Sequence, residues 1–481
     1  MPYHVGTTMA AETPMARSAT AADPRAKGPR AESRLLLRRE AASVWAVAWP
    51  LILTNILNVL VGIVDLKMVG VIGYESIAAV GMSRQVTMFI MVLMIAISGG
   101  SSVLVAHAHG AGDEPRVSTV AARSIVYMLA AALFVVTPLG YFASRWILTL
   151  LGGSERVVEI GDSYLRILFA GSVFTMFNFG VTGILLGVGK TRVSLVLLLG
   201  VNLLNIGLNY LFIFGAGPIP AFGVDGAAMG TVTARGLGAA AGVWILKTPR
   251  YRVKMRWRDG WKLDLPLVGK LLHLGGPRSL QGIVRNFSRL ITLRIITLLP
   301  DATRSVSAYS VAMQVRMISS FVGLAFMSAA MARVGQNLGA GDPERAAKSG
   351  WISAGMAAGI MTVIAVVFLI VPEAIMGFFT EDAGVVSRGR TFFMIIALSE
   401  PVMALAFALS GALRGGGDPI SPFIYAGVSD LVIVIATGYL LAVVAGMGFS
   451  GIAVGIAISA LARAVPVTLK FREGKCRATR L

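Results

Sequence analysis

The chain has 481 residues, of which 56% are hydrophobic and only 14% charged, and it carries a formal net charge of +19. A soluble fold of this size has too little polar surface to cover so apolar a chain. A water-soluble domain is therefore excluded, and the chain is predicted to dissolve in lipid. The positive charge does not indicate a nucleic-acid partner, because the basic residues fall outside the apolar runs and on alternate loops.

Residues 1–40 are rich in Ala, Arg, Pro and Ser and include Arg17, Arg25, Lys27, Arg30, Arg34, Arg38 and Arg39. They are expected to form a disordered basic tail. Runs of about 20 apolar residues, the length that crosses a hydrocarbon layer of about 30 Å as a helix, follow near 44–70, 83–106, 120–142, 161–186, 194–214 and 225–247. These make a first lobe over 41–247, helices one to six. A basic linker over 248–270 holds Arg250, Arg252, Lys254, Arg256, Arg258, Lys262 and Lys270. Six further runs, near 275–299, 308–332, 350–372, 390–412, 420–445 and 450–470, make a second lobe over 271–470, helices seven to twelve. A second short tail, 471–481, carries the chain's one cysteine, Cys476, so no internal disulfide is possible. The long runs lack the alternation of a membrane barrel, and the predicted class is all-α, integral to the membrane. The basic tails and linker place both termini in the cytoplasm, with twelve passes through the inner membrane and lipid as a partner.

The two lobes repeat one another. Pro50 recurs as Pro277, Gly110-Ala111-Gly112-Asp113 as Gly339-Ala340-Gly341-Asp342, Gly187-Val188-Gly189-Lys190 as Gly415-Gly416-Gly417-Asp418, and the segment from Gly223 as the segment from Gly448. The offsets are 227, 229, 228 and 225 residues. Four landmarks in one order at near-constant spacing indicate two homologous halves related by a pseudo-two-fold axis. The glycine-rich pieces lack the strand, helix and Lys-Ser/Thr spacing of a phosphate loop. They are predicted to be tight turns that cap helices on the cytoplasmic side.

An ionisable side chain inside a crossing is costly unless paired or hydrated, and by default it marks function. Asp65 lies deep in helix one on a polar stripe with Asn58 and Thr54, and is the leading candidate for the coupling ion. A structural pairing with Lys67 is the alternative. Asn178, Asn202, Asn205 and Asn209 on helices four and five are candidates for a network around it, or for interhelical glue. Glu400 in helix ten and Asp430 in helix eleven are the acids of the second half, and Pro401 offers a hinge beside Glu400. Arg278, Arg285 and Arg289 share one face of helix seven. That face either draws an anionic cargo into a cleft or neutralises Glu400 and Asp430. His107, His109 and His273 have no metal-ligand spacing, so no metal and no cofactor is expected.

Several motifs occur together: Val64-Asp65-Leu66-Lys67-Met68-Val69-Gly70 with Ile77-Ala78-Ala79-Val80-Gly81, Asn205-Ile206-Gly207-Leu208-Asn209-Tyr210, Val334-Gly335-Gln336-Asn337-Leu338-Gly339-Ala340-Gly341, and Gly411-Ala412-Leu413-Arg414-Gly415-Gly416-Gly417-Asp418. In this combination the chain resembles the multidrug and toxic compound extrusion (MATE) transporters over almost its whole length beyond the N-terminal tail. The resemblance implies twelve transmembrane helices in two pseudo-symmetric six-helix lobes around a central cleft, and no enzyme activity. It also implies export of an organic solute, drug-like and cationic, in exchange for protons or sodium ions. The internal repeat supplies its own interface, so one chain is expected to act as a monomer. The family carries a functional aspartate at the position of Asp65. One branch has an aspartate where this chain has Asn209, and the sodium-linked branch has a glutamate where it has Arg285. Proton coupling is accordingly expected over sodium. The alternative is an exporter or flippase of an anionic or lipid-linked substrate that uses the arginine face of helix seven.

Overall fold

A computed structural model describes residues 29–248, 255 and 257–474 of the chain. Among these residues it is helical throughout, apart from one isolated bridge between Ala216 and Ile219. The first lobe comprises α1 (Pro29–Gly70), α2 (Tyr74–Gly110), α3 (Glu114–Leu150), a broken fourth helix, α5 (Thr191–Phe214) and α6 (Gly223–Lys247). The fourth helix consists of α4a (Glu155–Ala170) and α4b (Ser172–Gly187), bent by 52°. Gly171 sits at the bend, where a Cβ would stand 2.4 Å from Val232 of α6.

The second lobe comprises α7 (Leu265–Ile296), α8 (Ala302–Gly339), α9 (Pro343–Ile370), α10 (Ala383–Gly415), α11 (Ile420–Val444) and α12 (Phe449–Glu473). Among the described residues, eight helices are long and apolar enough to cross a membrane, and the bent fourth pair, taken as one span, makes a ninth. Of the other three, α6 and α7 are diluted by glycine or by charge.

The internal repeat is visible in the turns. Asp113 and Asp342 cap α3 and α9, accepting from the backbone N–H of Arg116 at 3.0 Å and of Arg345 at 2.8 Å. A proline follows each within the first turn, where its missing N–H costs nothing. Gly112 and Gly341 just before them have φ of 73° and 76°, a region that favours glycine.

Some segment boundaries differ from those expected. α1 begins at Pro29, so residues 29–40 are helical rather than a disordered tail. The reason is Glu40, which is 3% exposed and fastens the start of α1 to the second lobe. α7 begins inside the expected linker of 248–270, because Asp264 caps it by accepting from Leu267 N–H at 3.0 Å. α12 runs three residues past 470. The expectations for residues 1–28, for 249–254 and 256 of the linker, and for Cys476 lie outside the described residues. α10 runs unbroken through Pro401.

The lobes meet at the end that carries the Gly-Ala-Gly-Asp turns. There α2 packs on α7 and α8 with almost no side chain between them. A Cβ on Gly275 would stand 1.7 Å from the carbonyl oxygen of Ala96, one on Gly110 1.8 Å from that of Gln336, and one on Gly339 2.0 Å from that of His107. Polar bonds complete the seal. The Glu40 carboxylate accepts from Arg333 at 3.0 Å, from Ser349 at 2.8 Å and from Arg345. His107 Nε2–H donates to the Gly415 carbonyl at 2.7 Å, and Gln336 Nε2–H donates to the Gly187 carbonyl at 2.8 Å.

Candidate functional site

Beyond this seal lies a cavity of about 700 Å³, within the size range of small-molecule sites. The first lobe supplies most of its wall, and Arg278 of α7 with Leu324, Ala325 and Ser328 of α8 supplies the rest. Its charged lining residues are Asp65, Arg84, Arg235 and Arg278, three bases to one acid. The bases come from α2, α6 and α7.

Asp65 is half-buried on α1 and is held by a neutral donor. Asn209 Nδ2–H of α5 donates to its Oδ1 at 2.9 Å. The Asn209 carbonyl accepts in turn from Asn205 Nδ2 at 3.3 Å, and Asn205 also donates to Thr231 Oγ1 of α6 at 3.0 Å. The spacing of four residues between Asn205 and Asn209 places both on one face of α5. A chain of polar groups thus joins α1, α5 and α6 at the cavity wall. Lys67 is exposed and takes no part. Arg235 and Arg84 act on Asp65 through space without forming an ion pair. Arg235 instead donates to Thr175 Oγ1 at 3.0 Å, and Arg84 lies over Gly62, where a Cβ would stand 3.1 Å from its guanidinium.

The other expected residues are placed differently. Asn178 lines the cavity but is not bonded to Asp65; its Nδ2 donates to the carbonyls of Phe174 and Arg235, at 3.0 and 2.9 Å. It fastens α4b to α6. Asn202 reaches Asn58 at 3.4 Å. Glu400 is 1% exposed and is paired with Arg316 of α8 at 2.7 Å, and Ser319 donates to its other oxygen. It is therefore not neutralised by Arg285 or Arg289. Those two arginines lie exposed on α7, because α8 offers Arg316 and Ser319 one turn apart and closer to α10. Asp430 sits in a π-helical turn of α11, where Ser288 of α7 bonds its main-chain carbonyl and the carboxylate forms no ion pair among the described residues. Of the three arginines on the α7 face, Arg278 alone lines the cavity.

The sequence reading passed over Arg84, Arg235 and Arg316, which interrupt apolar runs as Asp65 does. The same rule for ionisable groups in a crossing marks them once it is applied to bases as well as to acids.

Two six-helix lobes flanking a cavity with four charged lining residues, most of their helices long and apolar enough for lipid, define a secondary-transporter architecture. A family model described as MatE matches residues 50–211 and 277–440, once in each half and beginning at the repeat-related Pro50 and Pro277. The chain belongs to the MATE family of multidrug efflux transporters, which are membrane transporters rather than enzymes. It is similar to a multidrug resistance protein NorM of Burkholderia vietnamiensis, with 29% identity over 90% of this chain and 94% of that one. A probable NorM of Thermotoga maritima is 25% identical over 89% of this chain and 91% of that one. Among solved structures, one described as the outward-facing conformation of a multidrug resistance MATE family transporter superposes with a TM-score of 0.83 at 21% identity. That alignment covers 92% of this chain and 98% of the other. A MATE transporter in a straight conformation also gives a TM-score of 0.83, at 22% identity over 91% of this chain and 97% of that one.

Proposed function

We propose that the protein is a secondary antiporter that exports organic solutes in exchange for protons by alternating access, crossing the inner membrane twelve times as a monomer with both termini in the cytoplasm. The observation that carries this reading is Asp65, the one acid among the charged residues of the cavity, bonded to Asn209 at 2.9 Å. An amide donor to an ionised oxygen is a charge-assisted bond, roughly twice as strong as its neutral counterpart. Protonation of Asp65 weakens that bond and loosens α1 from α5, while loss of the proton restores it. Binding of the coupling ion is thereby linked to the packing of the helix that lines the cavity. Proton is preferred to sodium because the Asp65 site offers one carboxylate and an amide whose N–H faces it, whereas sodium needs several oxygens.

A cationic cargo would compete with the proton for Asp65, which is the simplest basis for antiport. The three guanidiniums facing the same space favour a second reading, export or flipping of an anionic or lipid-linked substrate. The test is uptake of ethidium, a cation, and carboxyfluorescein, an anion, into liposomes holding the purified protein, with a proton gradient or a sodium gradient imposed separately. Proton-driven ethidium uptake that disappears in Asp65→Asn is the expected result. Uptake driven by sodium alone, or unchanged in Asp65→Asn, would remove Asp65 as the proton carrier; carboxyfluorescein uptake without ethidium uptake would establish the second reading.

A further inference from the structure

The second lobe holds more positive charge than its acids neutralise. Arg278 and Arg285 lie two turns apart on α7, Arg414 lies near the end of α10, and Arg463 lies in α12. Arg414 has Arg278, Arg463 and Arg285 as electrostatic neighbours, and Arg463 has Asp430 and Arg285. The deepest two, Arg414 and Arg463, are 2% and 3% exposed. Arg414 donates to Gln281 Oε1 at 2.5 Å and touches Met327 Sδ at 3.2 Å, and its Nε has no partner. Arg463 lies over the Phe407 ring, 5.3 Å from its centroid, and its Nε is also unpartnered. Asp430 is the one acid of the group, and it forms an ion pair with none of them among the described residues; its Oδ2 is a further buried atom without a partner. Arg285 itself is exposed and Arg278 half-buried, so the deeply buried bases are Arg414 and Arg463, against one acid that pairs with neither.

Such an excess is not stable in the core of a membrane helix bundle. A buried ion without a counter-charge carries its full desolvation penalty, and unpartnered guanidinium N–H groups add to it. Water hydrates donors but does not cancel charge. Glu400, the other buried acid of this lobe, is already taken by Arg316. The missing element is negative, and the fork of a guanidinium suits an oxyanion or a halide.

We propose that Arg278, Arg285, Arg414 and Arg463 form an anion site in the second lobe, holding a small inorganic anion or the acidic group of a larger molecule between α7, α10 and α12. Arg278 also lines the main cavity, which gives the site its route to solvent. The inference is independent of proton coupling and of transport, since it concerns only what neutralises the cluster.

The test is thermal unfolding of the purified full-length protein in potassium gluconate at constant ionic strength, titrated separately with chloride, phosphate and carboxyfluorescein. A ligand of the folded state raises the melting temperature with a saturable dependence on concentration. We expect saturable stabilisation, with the apparent affinity lowered about tenfold by Arg463→Met and by Arg278→Gln, as for one lost charge-assisted contact. Asp430→Asn removes the one local negative charge, and is expected to raise the affinity about tenfold by the same reasoning; misfolding cannot imitate such a gain. Arg414 is left intact because it also anchors Gln281. Stabilisation by chloride or phosphate identifies a resident ion, and stabilisation by carboxyfluorescein alone identifies an acidic cargo group; either supports the site. No saturable shift with any of the three, or affinities indifferent to Asp430→Asn and Arg463→Met, overturns it.

Discussion

Asp65 is held by the neutral donor Asn209 although Arg84 and Arg235 share its cavity, and the sign of its linkage to cargo follows. A proton on Asp65 removes a negative charge from the cavity. Cation binding should therefore weaken as pH falls, while anion binding should strengthen. Fluorescence polarisation of ethidium and of carboxyfluorescein on purified protein, followed across pH, is expected to show these opposite slopes, and Asp65→Asn should flatten both. Slopes that survive in Asp65→Asn would assign the titration to another group. The residues of this network that sequence reveals are those on helices whose periodicity is plain: Asp65 as an acid in an apolar run, and Asn205 with Asn209 one turn apart. The partner of Glu400 was hidden because Arg316 lies 84 residues away. A helix wheel tells which residues share a face, but not which neighbouring helix that face meets. Of the two alternatives for the Arg278, Arg285 and Arg289 face, the neutralisation of Glu400 does not match its pairing with Arg316.

At the scale of helices, the contact between lobes combines apolar packing with glycines that let the backbones approach. In membranes, small residues let backbones approach where the hydrophobic effect offers little between helices. Gly275 faces the Ala96 carbonyl at a distance that admits no Cβ, whereas Gly269, also on α7, has open space around it. Gly269→Ala is expected to leave the melting temperature unchanged or slightly higher, since alanine is the better helix former by about 1 kcal/mol. Gly275→Ala should lower it by several degrees, consistent with an overpacking cost of about 1–3 kcal/mol. Equal effects at the two positions would show that the close approach of α2 and α7 does not support stability. Helix number and order were readable from the apolar runs, and the turns from their Gly-Asp signatures. The start of α1 was not, because an arginine-rich segment resembles a tail in composition, and only the burial of Glu40 among Arg333, Arg345 and Ser349 distinguishes it.

For the whole molecule, the seal sets the cost of any rearrangement that would open this end. Glu40 joins the first lobe to α8 and α9 of the second, so under the proposed alternating access its bonds must break. With Cys476 replaced by Ser, cysteines at Glu40 and Ser349 bridged by a short thiol cross-linker should stop dye uptake, and a reducible linker should restore it on cleavage. Uptake that continues in the cross-linked protein would exclude separation of the lobes at this end.

Two of the bonds across the seal have a history written into them. His107 and Gln336 stand 229 residues apart, and the carbonyls they reach, Gly415 and Gly187, stand 228 apart. Each half thus offers one side chain to the same helix end of the other, which is the isologous contact of a two-fold dimer preserved inside one polypeptide. In a true homodimer both sides of such a contact must carry the same residue. A fused chain is free of that constraint, and here one side has become an imidazole while the other is an amide, so a symmetric interface has acquired a chemically unequal pair.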